Sequence, residues 1–172
     1  MLASAGFVFE IEPVAIDEQP LPGETPSACV LRLAEEKAAM VARRRPGTVV
    51  LGADTVVVAD GLILGKPADD RDAAEMLARL SGKNHEVLTG VSIRADGRQV
   101  GAVERTVVRF LRLAPEEIAW YVASGEPRDK AGAYAVQGLA SRFVDRIEGS
   151  YSNVVGLPVA RVYQLLRQVG AI

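Results

Sequence analysis

Thr48-Val49-Val50-Leu51-Gly52-Ala53-Asp54-Thr55-Val56-Val57-Val58-Ala59 is a continuous stretch dominated by β-branched and small apolar residues. Such a run reads as a buried strand, because branched side chains pack well on a pleated surface covered on both faces. Two residues interrupt it. Asp54 sets a carboxylate among buried neighbours, which is costly unless the charge is paired or bound to a metal. Gly52 removes a side chain nearby and leaves room for a ligand or for another backbone. Asp54 therefore marks either a chemical site or a bulge or edge of the sheet.

Outward from this strand, helix and strand signals alternate. Upstream, Thr25-Pro26 has the form of a helix start, threonine as cap and proline at the first helical position, and Pro46-Gly47 stops that helix near Arg44. Downstream, Asp60-Gly61 turns the chain into Leu62-Ile63-Leu64. A second helix is predicted from Asp70 to Leu80, its stripe formed by Ala73, Met76, Leu77 and Leu80. Val87 to Arg94 and Gln99 to Leu113 read as strands joined at Asp96-Gly97. A helix from Pro115 to Gly125, a strand from Phe143 to Glu148 and a helix from Pro158 to Gly170 complete the chain. The expected fold is α/β, one mixed sheet flanked by helices. No repeat or linker divides it, so residues 1–172 read as a single domain. Met1 to Ala5 followed by Gly6 has the form of a last helical turn with a glycine cap, too short to be stable alone.

Composition narrows the function classes. Twenty basic against 22 acidic residues leave a net charge of −2. That argues against a coat for nucleic-acid polymers, which needs a basic surface, but not against a single nucleotide. Cys29 and His85 are the only cysteine and histidine, so neither an internal disulfide nor a Cys/His metal cluster is available. Glu10 and Glu12 interrupt the apolar start, which lacks the form of a secretory signal, and no apolar run is long enough for a membrane span. A cytoplasmic protein is expected.

Further residues depart from what folding alone selects. Lys37 falls within the buried stripe Val30, Leu33, Ala34 and Val41, so its ammonium either snorkels to solvent or points into a cleft. Gly65-Lys66-Pro67 holds a lysine on a stiff turn, or is an ordinary surface turn. In Glu126 to Gly138, small residues flank Asp129, Lys130 and Gln137. Gln137 can both donate and accept, as reading a base edge requires, or it caps backbone groups of a structural loop. Asp17-Glu18 offers a second carboxylate for a metal site or is a solvated acidic loop. The polar run Gly149 to Pro158 either binds ligand or caps the last helix. Together these point to a polyphosphate site, with lysines for phosphate charge and carboxylates for a hard divalent cation. No Walker A or Gly-x-Gly-x-x-Gly pattern is present.

Gly52-Ala53-Asp54-Thr55, Gly65-Lys66-Pro67, Leu80-Ser81-Gly82, Thr89-Gly90-Val91, Asp129-Lys130-Ala131-Gly132 and Gly149-Ser150-Tyr151 occur in the order seen in the Maf family, which the whole chain resembles. The resemblance implies an elongated, twisted sheet with two lobes and a central cleft, usually in a homodimer. It also implies hydrolysis of a nucleoside triphosphate to monophosphate and pyrophosphate with Mg²⁺ or Mn²⁺, a house-cleaning activity linked to cell-division arrest. By motif, Asp54 corresponds to the general base, Glu18 with Asp54 to the metal-associated carboxylates, and Lys37 and Lys66 to the phosphate-facing lysines. Gln137 and Thr55, with the neighbouring Asp129 and Lys130, resemble the subgroup that prefers dTTP and UTP. Ala135 stands where that subgroup usually has glycine. The family opens with a strand and a Ser-x-Ser-Pro-Arg-Arg helix start, whereas the match here begins at Leu2-Ala3-Ser4-Ala5-Gly6, so the native chain is expected to extend upstream. The rival expectations are a non-catalytic nucleotide-binding protein and a purely structural partner that nucleotide does not stabilise.

Overall fold

A computed structural model describes all of residues 1–172. Helix α1 (Pro26–Arg44) starts as its sequence demands: the Thr25 side chain accepts from the Ala28 N–H at 3.2 Å, and Pro26 spares a bond the first turn cannot make. Strand β1 (Val50–Ala59) turns at Asp60-Gly61 into β2 (Leu62–Leu64), and β3 (Asn84–Ala95) turns at Asp96-Gly97 into β4 (Arg98–Phe110). Both Asp-Gly pairs have positive φ at both residues, the twist that matches a tight two-residue hairpin. Helix α2 (Asp70–Leu80) precedes β3. Helix α3 (Pro115–Ala123), strand β5 (Val144–Glu148) and helices α4 (Tyr151–Val155) and α5 (Val159–Val169) follow β4. The five strands form one sheet in the order β2-β1-β3-β4-β5. Val58 pairs with Ile63, and Val108 with Ile147, both antiparallel.

Strand β3 starts at Asn84 rather than Val87, and other elements differ from the sequence expectation as well. Strand β4 ends at Phe110 rather than Leu113, because Leu111 leaves the ladder: its N–H goes to the Phe143 carbonyl and its carbonyl accepts from Gly82. Residues 126–138, expected to be loop, contain two short 3₁₀ turns, and a third at Leu139–Phe143 delays the expected strand from Phe143 to Val144. The run before the last helix forms α4, started by Ser150, whose hydroxyl accepts from the Asn153 N–H at 3.2 Å. Buried Asn153 donates to the Val87 carbonyl and to the Thr106 hydroxyl, each at 3.0 Å. These polar groups serve the fold.

The chain divides into two compact units. The first comprises residues 1–55, 89–104 and 156–172. Its core sets Val91, Ile93 and Ala95 of β3 against Val162, Leu165 and Val169 of α5. Helix α1 packs so closely there that a Cβ on Gly52 would lie 2.2 Å from the Ala34 carbonyl oxygen, and one on Gly90 would lie 2.1 Å from that of Val30. Both glycines admit the helix backbone itself.

The second unit comprises residues 56–88 and 105–155, and its core is aromatic: Phe110, Tyr121, Tyr134 and Phe143 with Leu77, Leu80 and Val108. His85 lies among them, 2% exposed, with Nε2 at 2.9 Å from the Tyr134 hydroxyl and its ring edge-on to Phe110. Burial pulls its pKa down to about 4, so the folded chain holds it neutral. Between the ordinary histidine value and that one, the unfolded chain binds a proton that the folded chain does not. Stability is therefore full above roughly pH 6.5 and declines by about 3 kcal/mol as pH falls to 4. Urea melts should show this slope in the wild type and a flatter one in His85→Gln. Equal slopes would exclude His85 as its source.

Candidate active site

Three of the predicted site residues meet in the first unit. Lys37 reaches them from the middle of α1, four residues beyond Leu33 and on the same face of the helix. Gly52 lets that helix lie directly on β1, so the Lys37 side chain ends beside the carboxylate two residues along the strand. Its Nζ donates to Asp54 Oδ1 at 2.6 Å and to Glu18 Oε1 at 2.6 Å. The Asp54 side chain is 11% exposed, Lys37 19% and Glu18 53%, so the cluster opens to solvent on the Glu18 side. Burial pushes the Lys37 pKa down, but the hydrogen bonds it donates to Asp54 and Glu18 outweigh it and leave the ammonium held above its ordinary range. Lys37 thus neither snorkels nor points into empty space. It bridges two carboxylates that would otherwise repel.

Glu18 sits on a segment without helix or strand, and a clamp fixes that segment to α1. Arg32 grips Glu24 with two bonds, Nε to Oε1 and Nη2 to Oε2, both 2.8 Å. Its Nη2 also donates to the Gln19 carbonyl at 3.1 Å, immediately after Glu18. The Arg32 hydrogen bond lowers the Glu24 pKa to about 2, so the pair persists until the pH falls well below the ordinary carboxylate range. Sequence reading missed this clamp. The only signal was an arginine one residue short of the buried Leu33, which helical periodicity does not distinguish from a solvated position. Arg32→Ala should expose residues 17–24 to markedly faster limited proteolysis with α1 intact. Unchanged cleavage would mean that other contacts hold the segment.

Thr55, next to Asp54, faces the interior. Its hydroxyl donates to the Gly156 carbonyl at 3.2 Å and, its one proton so used, accepts from Thr89 at 2.8 Å. This bond ties β1 to the completely buried Thr89 of β3.

Lys66, Asp129, Lys130 and Gln137 belong to the second unit. The Gly65 carbonyl accepts from the Gly132 N–H at 3.0 Å, fastening the lysine turn to the 129–137 loop. Gly132 is required there: its φ is +67°, and a Cβ would lie 2.8 Å from Val57. Lys130 Nζ donates to Asp129 Oδ1 at 2.6 Å. That bond, with the charges of Lys130 and Lys66, holds the Asp129 carboxyl below its usual range. Gln137 is exposed. Glu18, Lys37 and Asp54 are therefore brought together in one unit, and the Lys66 turn and the Gln137 loop are joined in the other.

The donor set can be tested against a divalent cation. Glu18 and Asp54 turn oxygens toward one cationic centre, each 2.6 Å from Lys37 Nζ. Two hard carboxylates suit Mg²⁺ or Mn²⁺, which keep water and phosphate oxygens for their remaining positions. No group of three or more His, Cys, Asp or Glu side chains is placed to enclose a metal without such help. No helix is long and apolar enough to cross a membrane.

The family model described as Maf-like protein matches residues 1–169. A dTTP/UTP pyrophosphatase of Symbiobacterium thermophilum is 49% identical over 170 residues, covering 99% of this chain and 88% of the relative. Proteins of the same name from Anaeromyxobacter dehalogenans and a Geobacter species are 52% and 53% identical over 174 residues each. They cover 99% and 100% of this chain, and 88% and 90% of the relatives. With half its residues shared along nearly its full length, the chain belongs to the Maf family.

Proposed function

We propose that residues 1–172 form a single pyrophosphatase domain that hydrolyses dTTP, UTP and related pyrimidine nucleoside triphosphates to the monophosphate and pyrophosphate. The observation that carries this reading is the Glu18–Lys37–Asp54 cluster, two carboxylates around one ammonium at 2.6 Å each, in a chain half identical to dTTP/UTP pyrophosphatases. Asp54 is the general base: it accepts a proton from the water whose oxygen attacks the α-phosphorus. The bond from that phosphorus to the α–β bridging oxygen breaks, and pyrophosphate leaves with the electron pair. Lys37 orients Asp54 through their hydrogen bond and offers positive charge to the phosphate. Lys66 is assigned to phosphate charge as well, Gln137 to the base, and Asp129 and Lys130 to substrate binding beside it in sequence order. Thr55, whose hydroxyl is bonded to Gly156 and Thr89 and keeps one acceptor lone pair, is assigned with Gln137 to the pyrimidine preference.

Glu18 and Asp54 would hold the divalent cation, Mg²⁺ or Mn²⁺. When bound, it supplies Lewis-acid stabilisation of charge on the phosphoryl oxygens. The same reading makes the protein a cytoplasmic homodimer whose partner is a free nucleotide. Pyrophosphate release across all canonical nucleoside triphosphates, with each metal, tests it. Turnover of dTTP and UTP well above the purine nucleotides is expected. A chain that turns over purine nucleotides best, or none at all, would overturn the assignment.

A further inference from the structure

In the second unit, Gln137 stands at the tip of a tight turn that its own side chain does nothing to hold. The Gly138 N–H returns to the Ala135 carbonyl at 3.0 Å, closing a four-residue turn with Gln137 at its third position. Each side of the turn is pinned from below. The Ala135 N–H donates to the Tyr121 hydroxyl at 3.2 Å, and the Leu139 N–H donates to Glu126 Oε2 at 3.0 Å. The two acceptors are themselves joined, because Tyr121 donates its proton to Glu126 Oε1 at 2.8 Å. Gly138 presses on this carboxylate so closely that a Cβ there would lie 2.3 Å from either oxygen.

Tyr121 is completely buried on α3, and Glu126 begins the 3₁₀ turn after that helix. The Glu126 N–H is received by Ser124 Oγ at 3.2 Å, and Ser124 in turn donates to the Tyr121 carbonyl at 2.6 Å. One phenol and one carboxylate thus transmit the position of a packed helix to residues 135–139. Val136 is buried beside them, whereas Gln137 at the third position of the turn is exposed. A side chain meant to read a base edge gains selectivity when its backbone is fixed in advance, since a mobile one adapts to the wrong base.

We infer that Tyr121 and Glu126 are positioning residues for base selection: they hold the turn that presents Gln137 and so set the preference for pyrimidine triphosphates. This rests on the hydrolase reading above. It adds a role for two residues that need not touch the nucleotide.

The test compares wild type, Tyr121→Phe, Glu126→Gln and Gln137→Ala. Tyr121→Phe keeps the buried ring and removes only the hydroxyl. Glu126→Gln keeps the shape but leaves one acceptor where two are used. Two readouts are taken: hydrogen exchange of the peptide covering residues 134–140, and kcat/KM for UTP against the other ribonucleoside triphosphates. Both positioning variants should exchange faster in that peptide and lose about tenfold in UTP preference, chiefly through KM, as expected for one hydrogen bond's worth of discrimination. Gln137→Ala should lose the same preference without faster exchange at Ala135 and Leu139. Adding Tyr121→Phe to Gln137→Ala should then cost no further selectivity. Unchanged exchange, or unchanged selectivity in Tyr121→Phe while Gln137→Ala loses it, would overturn the inference and leave the hydrolase reading standing. A wild-type chain that releases no pyrophosphate from any triphosphate would overturn both.

Discussion

Asp54→Asn should abolish most pyrophosphate release while leaving the fold in place. Asparagine matches aspartate in shape, and its carbonyl can still accept from the Lys37 ammonium now 2.6 Å from Asp54 Oδ1. What it cannot do is take a proton. A general base contributes about 10²–10⁴-fold to a rate, so kcat for dTTP and UTP should fall by that order with a smaller change in KM. Lys37 keeps its second partner, Glu18, so the melting temperature should move little. Parallel pyrophosphate assays and thermal melts on the two proteins decide it. A variant that keeps more than about a tenth of wild-type turnover would remove Asp54 from the role of base, whatever the nucleotide preference.

The largest loss of stability is expected from Gly90→Ala. The backbone there is not in the left-handed region, so the substitution strains nothing by itself. The difficulty is space. The new methyl would sit 2.1 Å from the Val30 carbonyl oxygen and 2.7 Å from the Leu31 nitrogen, both atoms of the α1 backbone. A helix of 19 residues cannot yield locally by an ångström, so α1 must shift as a body away from the sheet. Overpacking of this kind costs about 3 kcal/mol or more. Gly101→Ala is the control, because its methyl would meet the end of the Leu31 side chain at 2.9 Å, which can rotate away, and its nearest backbone atom is the Val91 carbonyl oxygen at 3.3 Å, a far milder approach. Urea denaturation should show a large loss for Gly90→Ala and under about 1 kcal/mol for Gly101→Ala. Similar values for both would mean that α1 is not seated on the Gly90 backbone. Gly52→Ala should resemble Gly90→Ala in stability, and it also displaces Lys37 from Asp54, so its activity should fall further than its stability alone explains.

These two predictions also mark what could be read before folding was considered. Asp54 was conspicuous because a carboxylate in a β-branched run has a high desolvation cost, and that cost is a local property of sequence. The Asp-Gly hairpins, the Thr25-Pro26 helix start and the stripe of α2 were legible for the same reason: each is chemistry among neighbours in the chain. Gly52 was read as space for a ligand or a backbone, and the backbone of α1 fills it. Gly90 gave no such warning, since nothing in its local sequence says that Val30, 60 positions earlier, will press on it.

The sequence alone determined the order of the five strands and the four longer helices, the family and the residues to suspect, because propensity, capping and desolvation act over a few positions. Tertiary structure alone decided which of the suspects meet. Lys37 could have snorkelled, and only the seating of α1 on Gly52 and Gly90 turned its ammonium onto Asp54, with the Arg32 clamp bringing Glu18 from an otherwise irregular segment. Likewise the polar run before the last helix does not cap that helix but forms α4, whose Asn153 bonds to Val87 and Thr106. Such pairings depend on packing between residues far apart in the chain. The local pattern of a sequence sets what each side chain can do, but distances of 2–3 Å between remote groups follow from how the helices and sheet close on one another.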